Sequence, residues 1–385
     1  MPEDLFGGGP LSALQRRLGL IKSGDRQVVL RAFLVGLIGW PPLLALIAIR
    51  EMFAHDGSLW YFLRDFGAHA RFLIAAPLLV AAEAWCLPRL SKIPFHFLDS
   101  GMVRDEDRDR LLADFAATRR FLNSVWVEIF AVLFTYGAVA GLAAMLPVED
   151  LPKWYVRHGS RGLVYTVAGQ WHALVSLPLL VLLILGWTWR QLVWWRLLSR
   201  ISKFNLHLIP AHPDHAGGLK FLSSALRGYL PLSFAFAAIA AGRIGNQLQT
   251  GGSFYDSRYL VAGVLAFVLI FFLMPFTVFV PNLVKLKERG ALEYSRLGCA
   301  LGEQFELKWL KERKSVTQGA LEMPDFSATT DLYSIVSNVY QIAYFPVSFG
   351  ALRELILVTL LPFLPIALSA VPFEVIIRSA GKLFL

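Results

Sequence analysis

The residues best able to do chemistry sit in one stretch, residues 207–219, reading HLIPAHPDHAGGL. It places His207, His212, Asp214 and His215 ahead of a Gly217-Gly218 pair, so three of the chain's eight histidines fall within nine residues. Imidazole and carboxylate are donors that zinc, iron and manganese accept, and three of them would leave an open position for water. The spacing matches no established zinc motif. A plainer reading is a turn, Pro213-Asp214 before His-Ala-Gly-Gly. Asp214 would then N-cap a helix beginning at His215 and receive the N–H of Ala216 or Gly217. Gly217 and Gly218 would allow a close backbone approach to another helix. A third reading sets an anion or lipid headgroup at that helix start.

The elements that must position this stretch are membrane helices. The chain has 385 residues, 56% hydrophobic and only 17% charged, where a soluble domain carries about 25% charge. The apolar residues gather in runs of roughly 18 to 24, enough to cross a hydrocarbon core about 30 Å thick. The fold class expected is all-α, a polytopic transmembrane bundle of seven spans, with six to eight allowed. The runs cover 32–49, 72–87, 125–146, 171–195, 222–241, 259–280 and 355–372. Pro41 and Pro42 should kink the first, and Pro362 and Pro365 leave the last either kinked or a re-entrant hairpin. The fourth runs unbroken into Trp194 and Trp195 with Arg190 and Arg196, so it should project beyond the bilayer as one long helix.

Around the spans the chain divides into four parts. Residues 1–31 form a basic amino terminus, with an amphipathic segment at 11–22 that suits a membrane surface. Residues 32–281 form the membrane domain, interrupted by the 196–221 loop that carries the histidines. Residues 282–353 form a charged segment, helical over 282–314 and a loop over 317–331, with 332–349 lying against membrane or bundle. Residues 354–385 hold the last span and a tail. Cys86 and Cys299 give no disulfide framework. No cleavable signal peptide, Walker A string, Gly-x-Gly-x-x-Gly or His-Glu-x-x-His is visible, which disfavours ATP-driven transport by this chain alone.

Of the 37 Lys and Arg residues, 27 fall in the amino terminus and in the loops after spans two, four and six. The positive-inside rule then makes the amino terminus and the histidine loop cytoplasmic. The net charge of +9 is thereby explained without nucleic acid. This topology also gathers three charges: Glu83, Glu128 and Arg227 all fall at similar depth, toward the histidine loop. A charge in hydrocarbon is costly and pairs where it can. Ion pairing of Arg227 with Glu83 or Glu128, proton or ion movement, and snorkelling to the headgroups are the three readings of this cluster.

The string HPDHAGGLKFL at 212–222, followed far downstream by YFPVSF and a proline-containing last span, resembles a group of uncharacterised bacterial inner-membrane proteins. The resemblance covers roughly the second half of the chain. It implies a bacterial inner-membrane location and brings no activity with it. Three functions remain in view. The leading one is a structural or regulatory membrane component whose basic cytoplasmic face binds a protein partner or anionic lipid headgroups. A passive or proton-coupled pathway for a small solute or ion is the alternative. A membrane-embedded metalloenzyme using the histidine loop is the third. No cofactor, no nucleic-acid partner and no oligomeric state is assigned.

Overall fold

Helices form wherever the sequence runs apolar, and their irregularities sit at prolines. The computed structural model describes residues 5–8, 25–145, 151–159, 162–311 and 324–370. Six of its helices are long and apolar enough to cross a membrane: Val28–Ala54, Phe66–Asp99, Asp105–Met145, Val167–Ile201, Tyr255–Lys311 and Phe349–Ser369. A seventh span exists if Leu219–Gly228 and Leu230–Gln249, bent by 43°, count as one. In chain order these are spans one to seven, the bent pair being the fifth. The chain is a polytopic helical membrane protein.

Proline removes a backbone donor and crowds the carbonyl four residues earlier. Span one answers by breaking at Trp40, between helices Asp25–Gly39 and Pro41–Ala54. Spans two and four answer by widening. Each contains a π-helical stretch, Ala70–Ala75 and His172–Ser176, just ahead of Pro77 and Pro178. A π turn makes room for the ring without ending the helix. Span six meets Pro275 with a 3-10 stretch, Met274–Phe279. Span seven passes Pro362 through the 3-10 turn Leu361–Phe363 and continues as Leu364–Ala370, so it is one helix and not a hairpin.

Two stretches differ from the sequence reading. The 151–165 region holds a β-hairpin, Val156–Gly159 antiparallel to Gly162–Tyr165, which buries Trp154 and Tyr155 beside it. Residues 324–331, read as loop, belong to the helix Pro324–Tyr340. Proline in the first turn followed by an acid, Asp325, is a good helix start. Residues 317–323, the amphipathic segment at 11–22 and the tail at 371–385 lie outside the described residues.

Span six does not stop where its charge begins. Its 57 residues continue through the charged segment to Lys311, roughly 85 Å at about 1.5 Å per residue. The helix Pro324–Tyr340 folds back along that extension, Phe326 meeting Phe305 at 5.1 Å. The core lies between spans two, four, five and six, where Phe97, Trp194, Phe272, Phe276 and Phe279 are fully buried.

Candidate functional site

Two ends of the bundle carry polar clusters: one at the histidine loop, the other at the β-hairpin. At the histidine loop, Asp214 is the organising residue, but it does not cap a helix at His215. The helix begins four residues later, as the 3-10 turn Leu219–Leu222. The physical reason is in the backbone: His215, Gly217 and Gly218 have φ of 53°, 63° and 97°. Successive left-handed residues wind the chain around the carboxylate as a nest of N–H groups. Ala216 and Gly218 donate to Oδ1 at 2.8 and 3.1 Å, and Lys220 donates to Oδ2 at 3.0 Å. Gly217 does not take part. Partial burial pushes the Asp214 carboxyl up, but those three N–H groups and His212 outweigh it and hold it below the usual carboxylate range. His212 Nδ1 lies 2.8 Å from Oδ1.

The two glycines have a packing role. A side chain at Gly217 would run into Leu286 of span six, and a Cβ at Gly218 would stand 2.7 Å from Met102 Cε. His207 contributes through its backbone, donating to the Met102 carbonyl at 2.8 Å. The Ala343 N–H reaches the His215 carbonyl at 2.8 Å, and Asn282 Nδ2 reaches the Ser202 carbonyl at 3.1 Å. The loop therefore ties the segments after spans two and four to the extension of span six and to the chain beyond residue 340. Among the described residues no three His, Cys, Asp or Glu groups are placed to share a metal ion.

The predicted pairing of Arg227 with Glu83 does not form. Arg227 is held by Glu354 at the start of span seven, through Nε at 2.9 Å and Nη2 at 3.1 Å. The bend at Tyr229 places Arg227 on a short helix packed against span seven. Glu83 instead receives two arginines, Arg31 Nη1 at 2.9 Å and Arg190 Nη2 at 2.8 Å. Arg190 also donates to the Gly8 carbonyl at 2.7 Å. The short stretch before it is packed in: Phe6 is fully buried, edge-on to Trp194 at 5.4 Å. Glu128 lies half-buried in the first turn of the apolar part of span three.

The hairpin end holds the cluster that sequence reading missed. Asp65, 5% exposed, caps the start of span two by accepting the Ala68 N–H at 2.9 Å. The same carboxylate accepts Asn246 Nδ2 at 2.8 Å and the indole N–H of Trp154 at 2.9 Å. Gly242 makes this meeting of spans two and five feasible, since a Cβ there would lie 2.8 Å from the Phe66 carbonyl. His69 accepts the Trp40 indole N–H on Nδ1 at 2.8 Å and bonds the Leu63 carbonyl through Nε2 at 3.0 Å. That pair of partners assigns a neutral ring with the proton on Nε2. His172, 6% exposed, bonds the Tyr155 hydroxyl through Nδ1 at 3.2 Å. Burial, with Tyr165 adding, pushes the Tyr155 phenol up to about 12 against the pull of Arg71.

Three irregular backbones meet at this level. The π stretch of span four repairs the break in span one, because Ser176 Oγ donates to the Gly39 carbonyl at 3.0 Å and Trp171 Nε1 to that of Ile38 at 3.3 Å. Spans two and four also repeat one another. Asp65 and Thr166 each cap with a side-chain oxygen, a π stretch follows, and twelve residues after the cap stands Pro-Leu-Leu-Val, at 77–80 and 178–181. That repeated string was the signal in the sequence for the hairpin-end cluster.

Comparison of the chain with protein-family models, with curated proteins and with solved structures finds no match. The chemistry available is therefore read from the two clusters alone. At the histidine loop every strong charge named above has its counterpart. At the hairpin end, donors converge in an aromatic surround of Phe72, Trp154 and Tyr155.

Proposed function

We propose that the protein is a bacterial inner-membrane protein, amino terminus in the cytoplasm, that binds a small solute or ion at its extracytoplasmic end and provides a pathway for it. One observation carries this reading: spans one, two and four all depart from regular α-helix at one level, around His69, Arg71 and His172. Irregular backbone at membrane depth persists where it is buried in protein or lines a cavity, and transporters build their sites from such broken helices. Along span two, Glu83 stands about 18 Å from Arg71, twelve residues at about 1.5 Å each. There the Glu83–Arg190 pair and the buried Leu5 and Phe6 cover the cytoplasmic end. The arrangement suits a site open toward one side and closed toward the other. Uptake of radiolabelled small solutes into proteoliposomes is the test. The same uptake from protein-free and His172→Phe vesicles, across anionic, cationic and neutral tracers, would refute the pathway.

A second reading, a structural or regulatory component, has its own support. The extension of span six leaves Leu292, Leu297 and Leu310 exposed by 54% or more, a surface suited to a protein partner. A pocket of about 530 Å³ lined by Leu5, Phe95, Leu112, Phe115, Arg119 and Arg120 has the mixed apolar and cationic character that an anionic lipid would fit. Cross-linking through the exposed Cys299 in native membranes, with a discrete adduct expected, tests the first part of that reading. The metalloenzyme has no three-donor group among the described residues to support it.

A further inference from the structure

Hydrogen bonding is incomplete at the hairpin end of the bundle, and the gap includes Arg71. Its guanidinium is mostly buried, and Nε has no hydrogen-bond partner among the described residues. Asp65 lies close enough to act on it electrostatically, but its oxygens are taken by Ala68, Asn246 and Trp154. No ion pair to Arg71 forms among the described residues. Arg243 of span five adds a second positive charge within electrostatic reach. Asp65 is thus one carboxylate near two cations, and the buried Nε of Arg71 still lacks an acceptor among the described residues, which costs free energy, so an anionic acceptor belongs there.

A second, separate observation points the same way. His172 is almost fully buried and its Nε2 has no partner among the described residues. In the tautomer whose Nδ1 accepts the Tyr155 hydroxyl proton, Nε2 carries a hydrogen and is free to donate. Arg71 and His172 sit on the same aromatic ring, the guanidinium carbon 5.9 Å and the imidazole centroid 5.5 Å from the centre of Phe72. Two unpartnered nitrogens thus belong to side chains that contact the same ring.

We propose that Arg71 and His172 bind a small carboxylate, the guanidinium clamping the planar anion and His172 Nε2–H donating to one of its oxygens. A guanidinium matches a carboxylate in plane and in charge. The aromatic walls of Phe72, Trp154 and Tyr155 suit an apolar body behind the anionic head. A phosphate dianion would need more donors than the described residues supply. The inference rests on the solute-site reading above and names the solute's class.

The test uses the full chain in detergent, with thermal unfolding followed by calorimetry while sodium acetate, sodium butyrate, sodium phosphate or sodium chloride is added at matched ionic strength. Acetate or butyrate should raise Tm saturably by several degrees; phosphate and chloride should not. Arg71→Gln should abolish the rise. His172→Phe should weaken the apparent Kd at least about tenfold, the loss of one hydrogen bond to a charged group. A rise that survives Arg71→Gln, or none with either carboxylate, overturns the proposal. Labelled acetate and butyrate in proteoliposomes separate the two claims. Binding without flux removes the pathway and leaves the site, whereas flux unchanged in Arg71→Gln leaves a pathway and removes this site.

Discussion

Replacing Asp214 by alanine should cost about 3 kcal/mol, and by asparagine between 1 and 2 kcal/mol. The magnitude follows from counting bonds. Alanine removes three hydrogen bonds from backbone N–H groups to a carboxylate, each worth about 1.5 to 3 kcal/mol when charge-assisted. The side chain keeps 16% exposure and water can partly replace it, so each bond is discounted below that range, to about 1 kcal/mol. The total still exceeds the roughly 1 kcal/mol of an ordinary helix cap. Asparagine keeps one oxygen for Ala216 and Gly218 but turns an amide N–H toward that of Lys220. For a simple cap, by contrast, asparagine serves as well as aspartate. The pH dependence has a definite sign. The folded carboxyl lies below its ordinary value of 3.8, so its stabilisation is complete above that value and is lost as pH falls through the folded value. Chemical unfolding in mixed micelles at pH 7 and at progressively lower pH reads both effects. An asparagine variant equal to wild type, with alanine costing only about 1 kcal/mol, would refute the nest. A wild-type to alanine gap unchanged below the carboxylate range would refute the charge.

Glu83→Gln should lower stability by about 3 kcal/mol in the same assay, since Arg31 and Arg190 lose their shared counter-charge at a mostly buried site; a loss under 1 kcal/mol would place that network in water. Arg227→Ala should cost less than about 1 kcal/mol, because its pair with Glu354 is 56% and 39% exposed. Gly242→Val should cost at least about 2 kcal/mol by forcing spans two and five apart, whereas Gly137→Val, with nothing within 4 Å of its Cβ, should be close to neutral. A reporter active only in the cytoplasm should work when fused after Lys220, and silence there would reverse the orientation.

The spans were legible because a run of apolar residues must become a helix in lipid, whatever its partners. The long fourth helix and the break near Trp40 followed from the same local logic. The hub role of the histidine loop was half legible. Proline, aspartate and two glycines announced a turn around a carboxylate, but the left-handed His215 decided that the turn would be a nest. Pairing was not legible. Glu83 selects Arg190 and Arg31, and Arg227 selects Glu354, through helix rotation and the bend at Tyr229, which no single segment encodes. The hairpin-end cluster escaped because Arg71 falls one residue outside the apolar run, and because Asp65 and His172 look unremarkable alone. Only the shared pattern of cap, π stretch and Pro-Leu-Leu-Val in spans two and four marks them as a pair.

That shared pattern explains why the unpartnered nitrogens of Arg71 and His172 lie where they do. A proline twelve residues into a membrane helix frees a carbonyl, and widening to a π turn rotates the residues before it relative to those after it. In span two the rotation presents Arg71 beside Phe72; in span four it presents His172 to the same ring. The two halves of the repeat thus deliver one donor each to a common wall. Asp65, at the cap of one half, accepts hydrogen bonds from Asn246 and Trp154 and leaves Arg71 Nε without an acceptor among the described residues. Thr166, at the cap of the other, carries no charge to offer. At the opposite end Glu83 answers two arginines and Asp214 answers three N–H groups. Unpartnered buried nitrogens at the hairpin end, on segments whose backbone is already irregular, are why the proposed site is sought there.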